Sequence, residues 1–167
     1  ITTRIPELRS SFKDELSNVK QGDTLYLFKV GSHVPLRREN RPITLLSAGV
    51  ALSTMRPLIH RYVKDDSDIP KLHSLNVDSH GRFHFADEMS QYEQNSEYLS
   101  VEYTERRDLF YKFLENKVKS DKLKGIYYVI GSEEYVEEVY FFLKDLGVSR
   151  DSIVLDKKSE YYDELEK

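Results

Sequence analysis

The apolar positions of this chain change rhythm at Ile43. Upstream, Ser10 to Asn18 predicts a short helix and Gly22-Asp23 a turn. The run Thr24-Leu25-Tyr26-Leu27-Phe28-Lys29-Val30 alternates with the two-residue period of a half-buried strand. Pro35, Arg37-Arg38 and Pro42 mark a polar connection. Downstream, strand-like and helix-like segments take turns. Ile43 to Ser47 is a short apolar run of the kind that is covered on both faces. Leu52, Met55, Ile59, Tyr62 and Val63 share one helical stripe. Leu72 to Asp78 and Tyr98 to Thr104 predict the next strands, with a weaker helix over Ala86 to Gln94 between them. Arg107 to Lys119 predicts a helix, Gly125 to Ile130 a fourth strand, and Ser132 to Leu146 the best helix of the chain, stopped by Gly147. Ile153 to Leu155 makes a fifth strand before a charged tail. Strands alternating with helices imply parallel pairing through right-handed crossovers. The expected architecture is a doubly wound α/β fold with a five-stranded parallel sheet, whose ligands bind beyond the carboxyl ends of the strands where strand order reverses.

Composition narrows the chemistry. The 167 residues suit one domain with an appendage. A net charge of −4 with no basic block argues against nucleic acid. The absence of cysteine excludes disulfides and thiolate chemistry. No apolar run is long enough for a membrane span, and the cytoplasm is the expected location. Ile1-Thr2-Thr3-Arg4-Ile5 reads as a strand already under way, as expected of a fragment, although a processed N-terminus would look the same. His73, His80 and His84 lie close in sequence, but no carboxylate or cysteine completes a convincing metal set around them.

Two segments join a strand to a helix through small residues. Ser47-Ala48-Gly49-Val50-Ala51-Leu52-Ser53-Thr54-Met55-Arg56 has one glycine, and a turn of this kind lets backbone N–H groups approach a diphosphate at a helix start. Any tight strand-to-helix turn looks similar. Ile130-Gly131-Ser132-Glu133-Glu134 repeats the device, with Ser132 a natural N-cap. Its glutamates suit a helix start and would repel phosphate.

Those stretches carry a resemblance. Ser47 to Arg56 resembles the A-G-G-T-G-I-A-P-M-R stretch of the ferredoxin–NADP reductase superfamily, with the spacing kept. Tyr128 to Val136 resembles that family's Y-x-C-G-P-x-x-M-V stretch, and Tyr103-Thr104-Glu105-Arg106 its T-x-S-R-like segment. Ser10-Ser11-Phe12 with Gly22-Asp23 resembles the end of its flavin-binding barrel. The similarity runs through nearly the whole chain in the family's order. It implies that residues 1–40 are the remnant of an antiparallel β-barrel and 41–167 the NAD(P)-binding α/β domain.

The resemblance further implies that Ala48, Gly49, Val50 and Ala51 face the phosphates and nicotinamide side of the nucleotide, that Thr104 and Arg106 approach the adenosine ribose or its 2′-phosphate, and that Gly131 and Ser132 flank the nicotinamide. Ser10 and Ser11 would touch the flavin pyrophosphate. The departures are specific. Ala48 and Ala51 stand where the family has glycines, which costs on the order of 1 kcal/mol at any position needing φ > 0. Val50 replaces a threonine, Ile130 stands where a cysteine is common, and no R-x-Y-S flavin motif is present. Tyr161-Tyr162 is read as part of a surface tail, the alternative being the family's C-terminal aromatic stacked on flavin.

The implied cofactors are NADPH or NADH, with FAD in the intact protein. Asp78 resembles an acid that accepts a ribose hydroxyl and disfavours NADP, whereas Arg106 and Arg107 suit a 2′-phosphate. Arg106 matches a family position, so NADPH is slightly favoured. The expected function is the nicotinamide-nucleotide-binding part of a flavin oxidoreductase, with an electron-acceptor protein or domain as partner and no side chain of this chain acting as acid or base. The alternative is a degenerate, non-catalytic α/β module with a regulatory or interaction role.

Overall fold

The computed structural model describes residues 2–26, 34–157 and 159–166, which form two compact units, Ile1–Ser32 and His33–Lys167. In the first unit, α1 (Ser11–Asn18) is capped by Ser10, whose hydroxyl accepts from the Lys13 N–H. None of its residues is buried. Ile5, Leu8, Phe12, Val19, Leu25 and Tyr26 are also exposed. Residues 2–5, expected to continue a strand, and Thr24 to Tyr26, the start of another, adopt no strand. The remainder of that second expected strand, Leu27 to Val30, lies outside the described residues.

The second unit contains β1 (Ile43–Ala48), α2 (Leu52–Lys64), β2 (Leu72–Val77), α3 (Ala86–Gln94), β3 (Leu99–Thr104), α4 (Arg107–Ser120), β4 (Ile126–Ile130), α5 (Glu133–Asp145), β5 (Ile153–Leu155) and α6 (Ser159–Leu165). The sheet order is β3-β2-β1-β4-β5, and every pairing is parallel. Alternate residues of each strand serve opposite faces. Ile43 and Leu45 join Leu72, Ile126 and Tyr128 under Leu52, Met55, Ile59 and Tyr62 of α2 and Met89 of α3. Leu46, Leu75, Tyr127 and Val129 face Phe110, Leu114 and Val118 of α4 and Val136, Val139 and Leu143 of α5. Both faces of the inner strands are thus dry, which is why β1 reads as a short apolar run without strict alternation. Residues 34–42 run with this unit. Val34 is buried in the first of these clusters, and Tyr128 OH donates to Pro35 O (2.7 Å) while accepting from Arg37 N (2.9 Å). Among the described residues no helix is long and apolar enough to cross a membrane.

The charged tail is not a loose tail. It folds as α6, which docks beside β5 through tyrosine hydroxyls. Tyr162 OH accepts from Leu155 N (2.8 Å) and donates to Ile153 O (3.3 Å). It therefore occupies strand-edge groups that would otherwise be open to another chain. Arg150 pairs with Asp163 at 2.8 Å, and Tyr140 OH donates to Glu166 at 2.5 Å. Tyr161 donates to Glu137 (3.3 Å). Both tyrosines pack on the α5 side of the sheet.

A histidine is buried on the α4 face. His73 is 6% exposed, and its Nδ1 lies 2.7 Å from Ser100 Oγ. The pair borders a cavity of about 390 Å³ that Asn116, Lys117 and Ser120 also line. Burial, with Lys117 adding repulsion, pushes the imidazole down to about 4, against about 6.5 in an unfolded chain. The unfolded state takes up this proton first. Stability is therefore intact above about pH 6.5 and falls as pH drops towards 4, by roughly 2–3 kcal/mol. Urea denaturation at pH 7 and pH 4.5 is expected to show that loss, and His73→Gln is expected to remove most of it. An equal loss in both proteins would contradict the assignment.

Candidate functional site

Four strands end at one level. Ala48 of β1 pairs with Val77 of β2, which pairs with Thr104 of β3. On the other side, Ser47 pairs with Ile130 of β4. At about 4.8 Å per strand, the row from Thr104 to the turn after β4 spans roughly 14 Å. The chain leaves β1 towards α2 on one face and leaves β4 towards α5 on the other. Neighbouring strands with diverging exits leave a crevice between the two turns.

The first turn is a short 3-10 segment, Gly49–Ala51, that runs into α2. Gly49 takes φ +53°, a value that disfavours a side chain. Ala48 lies in the extended region (φ −117°) and Ala51 in the right-handed helical region (φ −63°). Neither alanine that stands in place of a family glycine needs positive φ, so neither carries that strain. The turn is fixed from below by a residue the sequence pattern did not single out. Asn76, 1% exposed, donates from Nδ2 to Ser47 Oγ (2.9 Å), Ser47 O (3.2 Å) and Gly49 O (3.3 Å). An amide one residue from the end of an expected inner strand is the signal that could have found it.

The first turn of α2 contains no acidic residue, so its N–H groups and positive dipole end are available to an anion. The second turn differs. Ser132 caps α5 by accepting from Tyr135 N (3.3 Å), and Glu133 and Glu134 follow. That helix start is already neutralised and suits a neutral or cationic ring rather than a phosphate. Gly131 has a packing reason for being glycine, because a Cβ there would lie 2.4 Å from the buried Tyr135 ring.

At the far end of the row, Thr104 is 7% exposed, and its Oγ1 accepts from Arg106 N (3.1 Å). Arg106 grips Asp108 with two hydrogen bonds, one of 3.0 Å from Nε and one from its terminal nitrogen. Arg107 pairs with Glu138 of α5 at 2.9 Å. Asp78, at the exit of β2, accepts from His80 N (2.9 Å). Arg56, which closes the first motif, is bound by Glu88 at 2.7 Å and lies over the Phe85 ring.

The sheet therefore brings Ala48, Gly49, Val50, Ala51, Thr104, Arg106, Gly131 and Ser132 to one edge. Ser10 and Ser11 belong to the other unit, at the start of α1.

No family model matches this chain and no curated protein does. Solved structures do. The CS-b5R domains of human Ncb5or in an NAD+ form are 18% identical, with a TM-score of 0.65 over 89% of this chain and 46% of that one. The flavohem-like FAD/NAD-binding domain of nitric oxide dioxygenase from Vibrio cholerae is 22% identical, with a TM-score of 0.57 over 75% and 54%. A ferredoxin reductase of carbazole 1,9a-dioxygenase is 17% identical, with a TM-score of 0.54 over 70% and 35%. The chain spans about half or less of the length of these neighbours. It has the ferredoxin reductase-like fold that its motifs resemble.

Asn76→Ala would leave Ser47 O and Gly49 O without their donor in a buried site, at a cost of about 2 kcal/mol. Urea denaturation is the check. A loss below a few tenths of a kcal/mol would mean that the turn holds itself.

Proposed function

We propose that the chain is the nicotinamide-nucleotide-binding part of a flavin-dependent oxidoreductase. The observation that carries this is the crevice between the β1 and β4 turns, with an acid-free helix start on one side and an acidic one on the other. In this assignment the N–H groups from Gly49 to Ser53 hold the diphosphate, with Ala48, Val50 and Ala51 shaping the floor. Gly131 and Ser132 flank the nicotinamide, whose cationic oxidised ring the α5 glutamates favour. Thr104 and Arg106 border the adenosine end. The nicotinamide supplies a hydride and FAD in the longer protein accepts it, so the polypeptide orients and shields without acting as an acid or base.

Two further features support the assignment. The one positive-φ position in the first turn is held by glycine, and Asn76 fixes that turn before any ligand arrives, which lowers the ordering cost of binding. The first unit exposes Leu8, Phe12, Leu25 and Tyr26, apolar area that a completed flavin-binding barrel would cover. Within that barrel Ser10 and Ser11 are assigned to the flavin pyrophosphate. Tyr161 and Tyr162 are not assigned to the flavin ring, because their hydroxyls hold α6 in place. The electron acceptor is a protein or domain outside this chain.

Calorimetric titration of the chain with NADH is expected to saturate at concentrations on the order of micromolar. Gly49→Asp, which puts a carboxylate and a Cβ at φ +53°, is expected to abolish saturation while the far-ultraviolet circular dichroism persists. No saturation of the parent chain by millimolar nucleotide would favour a non-catalytic module that keeps only the fold.

A further inference from the structure

The sheet carries a second polar region, at the amino ends of its strands and so at the end away from the crevice. In the parallel register Ser100 of β3 lies beside His73 of β2, His73 beside Thr44 of β1, and Thr44 beside Tyr127 of β4. Strand alternation puts all four on the face that Leu46, Leu75 and Val129 make apolar further along. A polar row therefore crosses a face that is otherwise dry. Thr44 and Tyr127 are fully buried, and their hydroxyls have no hydrogen-bond partner among the described residues. Such burial is costly, and apolar side chains of similar size would fill the row at less cost. Packing alone gives no reason for it.

The row ends at the cavity of about 390 Å³ that His73 and Ser100 border. That volume is of the size of small-molecule sites and far above the roughly 30 Å³ that one water occupies. Its more buried walls offer donors. His73 Nδ1 lies 2.7 Å from Ser100 Oγ, and the imidazole makes no other hydrogen bond among the described residues. With the serine hydroxyl donating to Nδ1, Nε2 keeps the ring proton and is a donor. Lys117 Nζ lies 3.7 Å from Asp121 Oδ1, too far for a hydrogen bond, and its side chain is only 20% exposed. The ammonium is close enough to His73 to help push the imidazole down. An ammonium and a ring N–H that share one cavity without close acceptors call for an anion.

The remaining walls define what carries that charge. Phe113 of α4 is half-buried and lines the same cavity, which suits a carbon skeleton rather than a bare inorganic ion. Glu102, two residues beyond Ser100 on the same face of β3, is exposed at the rim and forms no ion pair among the described residues. A ligand with a second negative charge would meet it. We propose that this cavity binds a small monocarboxylic acid, its carboxylate on Lys117 and His73, its hydrocarbon part on Phe113 and the Asn116 amide at its edge. The site lies apart from the crevice, and its test does not depend on the dinucleotide assignment.

Benzoate is the probe, added to the full chain and followed by calorimetry and by nuclear magnetic resonance of the histidine rings and amides. It is expected to saturate with a dissociation constant on the order of 1 mM. The largest shifts are expected at His73, Ser100 and Lys117. Benzamide has the shape without the charge, and terephthalate adds a second charge; each is expected to bind at least about tenfold more weakly. Lys117→Gln is expected to weaken benzoate about tenfold, whereas Asp121→Asn, which releases the ammonium, is expected to tighten it. Glu102→Gln is expected to recover terephthalate binding and to leave benzamide unchanged. Circular dichroism of each variant separates loss of the site from loss of the fold. Where Lys117→Gln fails to fold, an unchanged benzoate affinity in Asp121→Asn overturns the proposal. Benzoate that does not saturate by tens of millimolar, benzamide that binds as well as benzoate, or shifts confined to Gly49 to Ser53 overturn it too. Tighter binding of benzylamine than of benzoate, removed by Glu102→Gln, would make this a site for cations and would likewise overturn it.

Discussion

Right-handed crossovers allow a parallel sheet to grow outwards in two directions from a starting strand, and the two directions put their helices on opposite faces. In this chain the reversal falls between β1 and β4. The connection from β1 enters α2 on one face, and the connection from β4 enters α5 on the other. No side chain has to be chosen for function to create the resulting crevice, since it follows from the strand order β3-β2-β1-β4-β5. The rest of the site consists of adjustments to that opening: a glycine where φ is positive, an amide that clamps the turn, and helix starts of opposite electrostatic character.

That difference between the helix starts gives the crevice a direction. The first turn of α2 contains no acidic residue of its own, whereas the start of α5 is occupied by its own serine cap and two glutamates. A dinucleotide carries negative charge in the middle and, when oxidised, a positive ring at one end. The polarity of the crevice matches that distribution without any buried charge pair, and so without the desolvation cost such a pair would bring. The same economy holds in the turn after β4, where Gly131 makes room for the Tyr135 ring.

Much of this was legible in the sequence, and the exceptions share a cause. Periodicity located all five strands and the helices between them because each buries a face against the sheet, and burial is what a periodic pattern records. The turn at Gly49 was legible because glycine takes that φ at less cost than other residues. The docking of α6 was not, because it depends on Tyr162 OH meeting the edge of β5, a tertiary contact set in a stretch crowded with charges. Arg106 was placed at the right end of β3, but its engagement with Asp108 is a matter of rotamers, which spacing does not encode. Asn76 passed unremarked because its partners, Ser47 and Gly49, are distant in sequence and only adjacent once β1 and β2 pair. The alternating segment from Thr24 shows the converse. Its pattern resembles a strand, yet Thr24 to Tyr26 form none, as expected where paired strands have no partner to bury against.

In the proposed function, peptide amides of the β1 and β4 turns close on one nucleotide. Amide chemical shifts of the isotope-labelled chain, followed by nuclear magnetic resonance as NADH is added to saturation, test it most directly. The largest changes are expected on Gly49 to Ser53 and on Gly131 and Ser132 together. Saturable binding that leaves those amides unmoved, or moves only one of the two turns, would contradict it.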